Sequence, residues 1–328
     1  MSSKKRKKVK SKFTKLFKPN LSVRIGRLLM KNPVMVASGC FGYGEEMSKF
    51  YSLNHLGAIV VKGTTLEPRL GNQLPRMAET PSGMLNSIGL QNVGVEKFLK
   101  EKLPFLKKQK VPIVVNINGK TKEEYVLLAK KLDSCDDIKA LEINISCPNV
   151  KEGGIEFGSS ALSAFKIVQA IRKVTKHTLI TKLSPNVSSL QLKEIAQACV
   201  EAGSEALSAI NTVLGMAVDL KNYRPALRST TGGLSGPAIK PIGLRVIYEL
   251  HQVVSVPLIG MGGILSVGDA LEYLLVGSAA VAIGTGNYIN PFLAFEVVNG
   301  INEYFQTNQI ETGSDFSNRF KAWDDCKL

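Results

Sequence analysis

Chemistry in this chain is concentrated where short apolar runs end. Leu141-Glu142-Ile143-Asn144-Ile145 gives way to Ser146-Cys147-Pro148-Asn149, and then to a loop carrying Gly153, Gly154 and Gly158. A thiol at the exit of a β-type run, on a glycine-hinged loop, suits a general base working under a lid. Its ordinary pKa, roughly 8.5, is close enough to neutrality for proton abstraction from carbon, and the thiolate is the reactive form. A lone cysteine is more often an inert buried or surface residue, so a role for Cys147 depends on what the other run ends carry.

Those ends carry Ser38, Lys62, Asn116, Asn144, Lys182, Asn211 with Thr212, Gly262 with Gly263, and Gly284 with Thr285. Lys62 and Lys182 each terminate an apolar run, where an unpaired ammonium is costly to bury, so both call for an anionic or carbonyl partner. The turns Gly260-Met261-Gly262-Gly263 and Ile283-Gly284-Thr285-Gly286 let backbone N–H groups approach phosphate oxygens, and Gly232-Gly233-Leu234-Ser235-Gly236 can join them. Asn86, in Asn86-Ser87-Ile88-Gly89-Leu90, joins Asn144 and Asn211 in offering donors and acceptors to a flat molecule with imide or carboxylate groups. Any one of these is unremarkable at a loop entrance; together they describe a phosphate-bearing ligand below a small polar planar substrate. His55, His177 and His251 have no metal-ligand spacing and are read as structural, and no metal site is expected.

The elements that must position these residues follow from periodicity. Eight nearly continuous apolar runs (34–38, 58–63, 112–117, 140–146, 178–184, 206–212, 257–263 and 279–285) read as parallel strands covered on both faces. Helical patterns alternate with them: 45–54, 94–110, 160–175 and 188–202, one opened by Thr121-x-x-Glu124, one with Pro241 in its first turn, one opened by Ser266-x-x-Asp269 and one after Asn290-Pro291. Eight alternations with right-handed crossovers predict an α/β fold, a (βα)8 TIM barrel. An open doubly wound sheet is the alternative, but no Gly-x-Gly-x-x-Gly follows the first strand. The long connections after strands two and six, residues 64–111 and 213–240, are expected to roof the site, and 21–31 to form a small hairpin under the barrel.

Of 328 residues, 44% are apolar, enough for one large core. No apolar run approaches the roughly 18 residues of a membrane span, and no apolar signal core precedes the body, so a cytoplasmic protein is expected. Five scattered cysteines without Cys-x-x-Cys argue against disulfides, structural zinc or an iron–sulfur cluster in this chain. The formal charge is +15, but nine basic residues and no acid fall within 1–18, leaving +6 elsewhere. Residues 1–20 are therefore read as a solvated basic arm, 21–305 as the barrel and 306–328 as a polar tail, with no nucleic-acid role.

The chain resembles the catalytic subunit of class 1B dihydroorotate dehydrogenases. The resemblance rests on Asn32-Pro33-Val34-Met35-Val36-Ala37-Ser38-Gly39, Val61-Lys62-Gly63-Thr64-Thr65, the stretch from Glu79 to Asn92, Asn144-Ile145-Ser146-Cys147-Pro148-Asn149, Ile210-Asn211-Thr212, and Gly232-Gly233-Leu234-Ser235-Gly236-Pro237-Ala238. It implies that Cys147 removes the C5 proton of dihydroorotate while hydride passes from C6 to N5 of FMN, and that Lys182 stabilises the anionic reduced flavin. Ser38, Lys62, Gly63, Asn116, Asn144, Lys182 and Ile210 are implied to contact FMN, with Gly236, Gly262, Gly263, Gly284 and Thr285 on its phosphate side. Lys62, Asn86, Ser87, Ile88, Gly89, Leu90, Asn144, Asn211 and Thr212 are implied to bind the substrate. A second subunit carrying FAD and an iron–sulfur cluster is implied to pass electrons to NAD+, around a homodimer of this chain in a heterotetramer. Cys40 stands where relatives often have threonine, a change expected to be without consequence, and the basic arm is not usual for the family.

Two enzyme readings compete with this one, and a third, a non-enzymatic nucleic-acid-binding protein with a basic arm, leaves the residues at the run ends unexplained; class 2 is disfavoured. A class 1A enzyme would use fumarate as acceptor. A tRNA dihydrouridine synthase, also an FMN barrel with a Cys-Pro pair, calls for an RNA-binding helical domain after the barrel, and it has no place for Asn86-Ser87-Ile88-Gly89-Leu90. Membrane-bound class 2 relatives have serine at the position of Cys147.

Overall fold

A computed structural model describes residues 17–145 and 158–323. Most of the basic arm, the loop bearing Cys147, and Cys326 lie outside the described residues.

Strands β1 (Val23–Ile25) and β2 (Leu28–Met30) pair as the expected hairpin, and β3 (Val34–Val36) and β4 (Ala58–Thr64) open the barrel. Between β3 and β4 the predicted helix is replaced by two 3-10 turns, Met47–Lys49 and Leu53–His55. Leu53 is the one buried side chain in these turns, so they lack the apolar stripe that would hold a helix against the barrel. The connection after β4 carries the hairpin β5 (Met77–Thr80) and β6 (Gly83–Asn86), then α1 (Gly94–Lys97), a π turn over Phe98–Lys102 and α2 (Leu103–Lys108).

Strand and helix then alternate through β7 (Ile113–Ile117), α3 (Lys122–Asp133), β8 (Ile138–Asn144), α4 (Ala161–Arg172), β9 (Thr178–Lys182), α5 (Ser189–Glu201) and β10 (Ala206–Ala209). The second long connection contributes β11 (Val213–Gly215), β12 (Val218–Asp219), β13 (Arg224–Pro225) and β14 (Gly232–Ser235) before α6 (Lys240–His251). The chain finishes with β15 (Leu258–Met261), α7 (Val267–Leu275), β16 (Ala280–Ile283), α8 (Gly286–Ile289), α9 (Leu293–Thr307) and α10 (Gly313–Ser317).

The barrel closes in the order β3-β4-β7-β8-β9-β10-β15-β16, every pair parallel. It is a (βα)8 barrel. Capping is close to what the sequence predicts: the Thr121 hydroxyl accepts from Glu124 N, and the Ser266 hydroxyl from Asp269 N. The Glu124 carboxylate, however, reaches back to Lys120 N. A capping box of Ser188 and Gln191 opens α5.

Period-two alternation sorts the strand side chains. On β8, Leu141 and Ile143 pack outward into the main core between strands and helices, while Ala140 joins the interior cluster with Val60, Val114, Ile180, Ala206 and Ile259. The β1–β2 hairpin stops the lower end with Ile25, Leu28 and Met30. The two long connections meet over the upper end, as expected, and there pair into one antiparallel sheet in the order β11-β14-β6-β5. The polar segment after residue 305 is anchored, with Ile310 and Phe316 buried and the Phe316 ring 5.3 Å from that of Phe305.

Candidate active site

Two adjoining hollows, about 540 and 930 Å3 counted out to open solvent, lie between the barrel mouth and this roof. Both are bordered by Ser38, Cys40, Asn211, Thr212, Ser235 and Thr285, so they form one two-armed cleft. The smaller arm is walled by Lys182, Ile210 and the glycines Gly236, Gly262, Gly263 and Gly284. The larger holds Lys62, Gly63, Asn86, Ile88, Gly89, Leu90 and Asn144.

Each side chain is placed by a specific break in regular structure. The β4–β7 ladder shifts register between Val61 and Thr64, a bulge that re-aims Lys62 into the mouth. Lys182 ends β9, and its ammonium donates to Ser38 Oγ at 3.3 Å, spanning the mouth from β9 to the exit of β3. On β8, the phenol of Tyr125 in α3 donates to the Asn144 carbonyl at 2.6 Å. The Thr285 hydroxyl donates to Ser235 Oγ at 2.7 Å and ties the last barrel exit to the roof.

The glycine arm is shaped by backbone that only glycine tolerates well. Gly262 and Gly263 have φ of +120° and +72°, and a methyl on Gly263 would stand 2.7 Å from Lys240 Cβ and 2.9 Å from the Gly236 carbonyl oxygen. Beneath this turn the Tyr273 phenol donates to the Gly262 carbonyl at 2.8 Å.

Two predicted residues do not line the cleft. Ser87 is fully buried, its N–H donating to the Arg76 carbonyl at 2.8 Å, because alternation from Asn86 points it away from the opening. Asn116 lies one step below the mouth, its amide NH2 donating to Glu142 Oε2 at 2.6 Å and its oxygen accepting from Asn118 at 2.7 Å. Cys147 lies outside the described residues. The structure adds Glu142, Ser208 and Asn118, which together with Asn116 make a polar layer inside the barrel under Lys182. Glu142 was readable only as a lone acid in an apolar run.

Electrostatics separate the polar groups. Burial lowers the affinity of Lys62 for its proton, and the nearby Arg76 pushes the same way. Cys40 is no remote substitution: its thiol borders both cavity arms, and burial raises its pKa against the opposing pull of Lys182 and Lys62. That environment favours a neutral thiol.

The residues present fit a phosphorylated planar cofactor. An arm whose turns leave no room for side chains would admit a phosphate group to backbone N–H groups, and Lys182 lines the same arm, bonded to Ser38, which borders both. The wider arm, with Lys62 and three asparagines, fits a small anionic ring system.

Comparison with known proteins gives this geometry a context. The family model described as "Dihydroorotate dehydrogenase" matches residues 20–305. The chain is 53% identical over 293 residues to "Dihydroorotate dehydrogenase B (NAD(+)), catalytic subunit" of Desulforamulus reducens, covering 89% of this chain and 96% of the relative. It is 51% identical over 287 residues to the protein of the same name from Bacteroides thetaiotaomicron, covering 88% and 94% of the two chains. A crystal structure of DHODH from Eimeria tenella in complex with ferulenol has the same fold, with a TM-score of 0.75 over 94% of this chain and 91% of that one, at 23% identity.

Proposed function

This chain belongs to the dihydroorotate dehydrogenase family, and from that premise we propose that it is the catalytic subunit of an NAD+-type enzyme oxidising (S)-dihydroorotate to orotate in pyrimidine biosynthesis. The observation that carries the reading is the confluence of a glycine-walled arm with an amide- and lysine-lined arm at Ser38, Asn211 and Thr212.

The family is FMN-dependent in general, and we assign FMN to this cleft. When bound, FMN supplies the acceptor for the hydride leaving C6 of the substrate. Gly236, Gly262, Gly263, Gly284 and Thr285 would hold its phosphate side and Ser38, Gly63, Asn144 and Ile210 would flank the rest, with Asn116 acting only from the polar layer beneath. Lys182 provides a fixed positive charge that favours the reduced, anionic cofactor. Lys62, with Asn86, Asn144, Asn211 and Thr212, pairs with the carboxylate and imide groups of dihydroorotate, and Ile88, Gly89 and Leu90 close over it. Cys147 takes the C5 proton. The name "catalytic subunit" of the relatives implies a separate electron-transfer subunit. We assign FAD and an iron–sulfur cluster to that partner, and to this chain a homodimeric core.

Anaerobic mixing with dihydroorotate tests the assignment. Flavin absorbance should bleach, and NAD+ should reoxidise it only with the partner subunit present. A chain that neither holds nor takes up FMN, or is not bleached, refutes the reading; unassisted turnover with fumarate would place it in class 1A.

A further inference from the structure

Glu142 is a buried acid on which the reaction makes no claim. Its side chain is 2% exposed and sits in the barrel interior, two residues before Asn144 on the same face of β8. Two hydrogen bonds and an ion pair converge on it: Asn116 Nδ2 donates at 2.6 Å and Ser208 Oγ at 2.8 Å, and the Lys182 ammonium lies 3.8 Å from Oε2. A carboxylate is costly to bury unless its oxygens are all occupied, and here the amide can only donate, which requires an accepting oxygen at Oε2.

The same lysine spans to Ser38 on the opposite wall. Lys182 is thus held between a carboxylate below and a hydroxyl at cavity level, and its side chain is only 6% exposed. In such a site the field at the cavity is set by the pair, because two opposite charges this close, shielded from water, largely offset one another.

We propose that Glu142 is a positioning residue for the known reaction: it fixes the Lys182 ammonium and, by balancing its charge, sets how strongly the cleft favours the reduced cofactor. The proposal rests on the assignment of FMN to the cleft. It makes the buried acid a potential-setting group, so that the flavin is left reducible by substrate yet able to hand its electrons on.

The glutamine substitution isolates charge from shape. In Glu142→Gln the amide oxygen can keep accepting from Asn116 and stay facing Lys182, while its NH2 donates to Ser208, whose hydroxyl can turn to accept. Without the offsetting charge, Lys182 acts alone on the anionic reduced flavin. The midpoint potential of the FMN-loaded full chain, measured against a reference dye without dihydroorotate, should then rise. We expect at least a tenfold shift toward the reduced form, about 30 mV for a two-electron couple. Glu142→Asp, which keeps the charge and changes the shape, should stay within about threefold of the wild type, or about 15 mV on the same scale.

A Glu142→Gln potential within threefold of wild type, or a Glu142→Asp shift as large as that of Glu142→Gln, overturns the proposal. If Glu142→Gln gives no folded flavoprotein, Glu142→Asp decides alone: a retained potential supports the charge role and a displaced one overturns it. A wild-type chain that takes up no FMN brings down the cofactor assignment and this proposal together, whereas normal uptake with an unmoved Glu142→Gln potential brings down the proposal only.

Discussion

In the proposed mechanism a thiol and an amine divide the work of the site, and each is testable alone. Cys147→Ser removes the group whose pKa suits carbon-acid chemistry while leaving the glycine arm untouched. FMN should be retained, with reduction by dihydroorotate at neutral pH at least about a hundredfold slower in stopped-flow. Near-normal reduction would take Cys147 out of the mechanism. For Lys62 the sign follows from burial. Because its folded pKa lies below the ordinary lysine value, its charged form is penalised in the fold, and that penalty is relieved as pH rises through the lowered pKa. An anionic ligand needs the ammonium, so affinity for orotate should hold at low pH and fall as pH climbs through that lowered value. Titrating flavin absorbance with orotate from about pH 6 to 10 checks this, since an ordinary lysine would keep its charge to about pH 10. Lys62→Gln should bind weakly throughout and lose the fall. A wild-type affinity flat across that range would remove Lys62 from the substrate arm.

Between residue and barrel stand the elements that bring distant residues together, and here the sequence was unevenly legible. The strand runs could be read because parallel strands are apolar on both faces, and the polar exits followed from them. The roof could be anticipated from two long connections, but not its pairing: β6 against β14 joins segments about 150 residues apart with no shared pattern. The polar layer around Glu142 was also missed, since an acid inside a barrel looks, in sequence, like an acid on a surface. One close approach shows what the roof does. A methyl group on Gly233 of β14 would collide with the Thr212 hydroxyl and stand 2.6 Å from its Cβ. Gly233→Ala should therefore push Thr212 out of the substrate arm, raising the KM for dihydroorotate by about tenfold, some 1.4 kcal/mol, with FMN content unchanged. An unchanged KM would mean that the roof rides over Thr212 without setting its position.

At the scale of the whole molecule the barrel separates stability from chemistry by placing them at opposite ends. The upper end is a cleft lined by amides, amines and glycines; the lower end is filled by Ile25, Leu28 and Met30 of the hairpin, which cluster with interior residues of seven barrel strands and with Met35 of the eighth, β3. Backbone bonding secures this plug, with Arg27 N donating to Thr178 Oγ1 at 2.7 Å. Leu28 is fully buried, and Leu28→Ala would leave a void that neighbours on several strands cannot all collapse to fill. The cost should be about 2–5 kcal/mol in denaturant unfolding of the FMN-loaded protein. Yet the polar layer of Glu142 and Asn116 lies between the plug and the cleft, its side chains fixed by hydrogen bonds among themselves. The kcat and KM measured well below the unfolding midpoint should thus stay within about twofold of wild type, since couplings between distant sites that share no partners are small. A tenfold loss of kcat alongside the stability loss would mean that the two ends of the barrel are coupled, and that the interior layer transmits strain to the cleft.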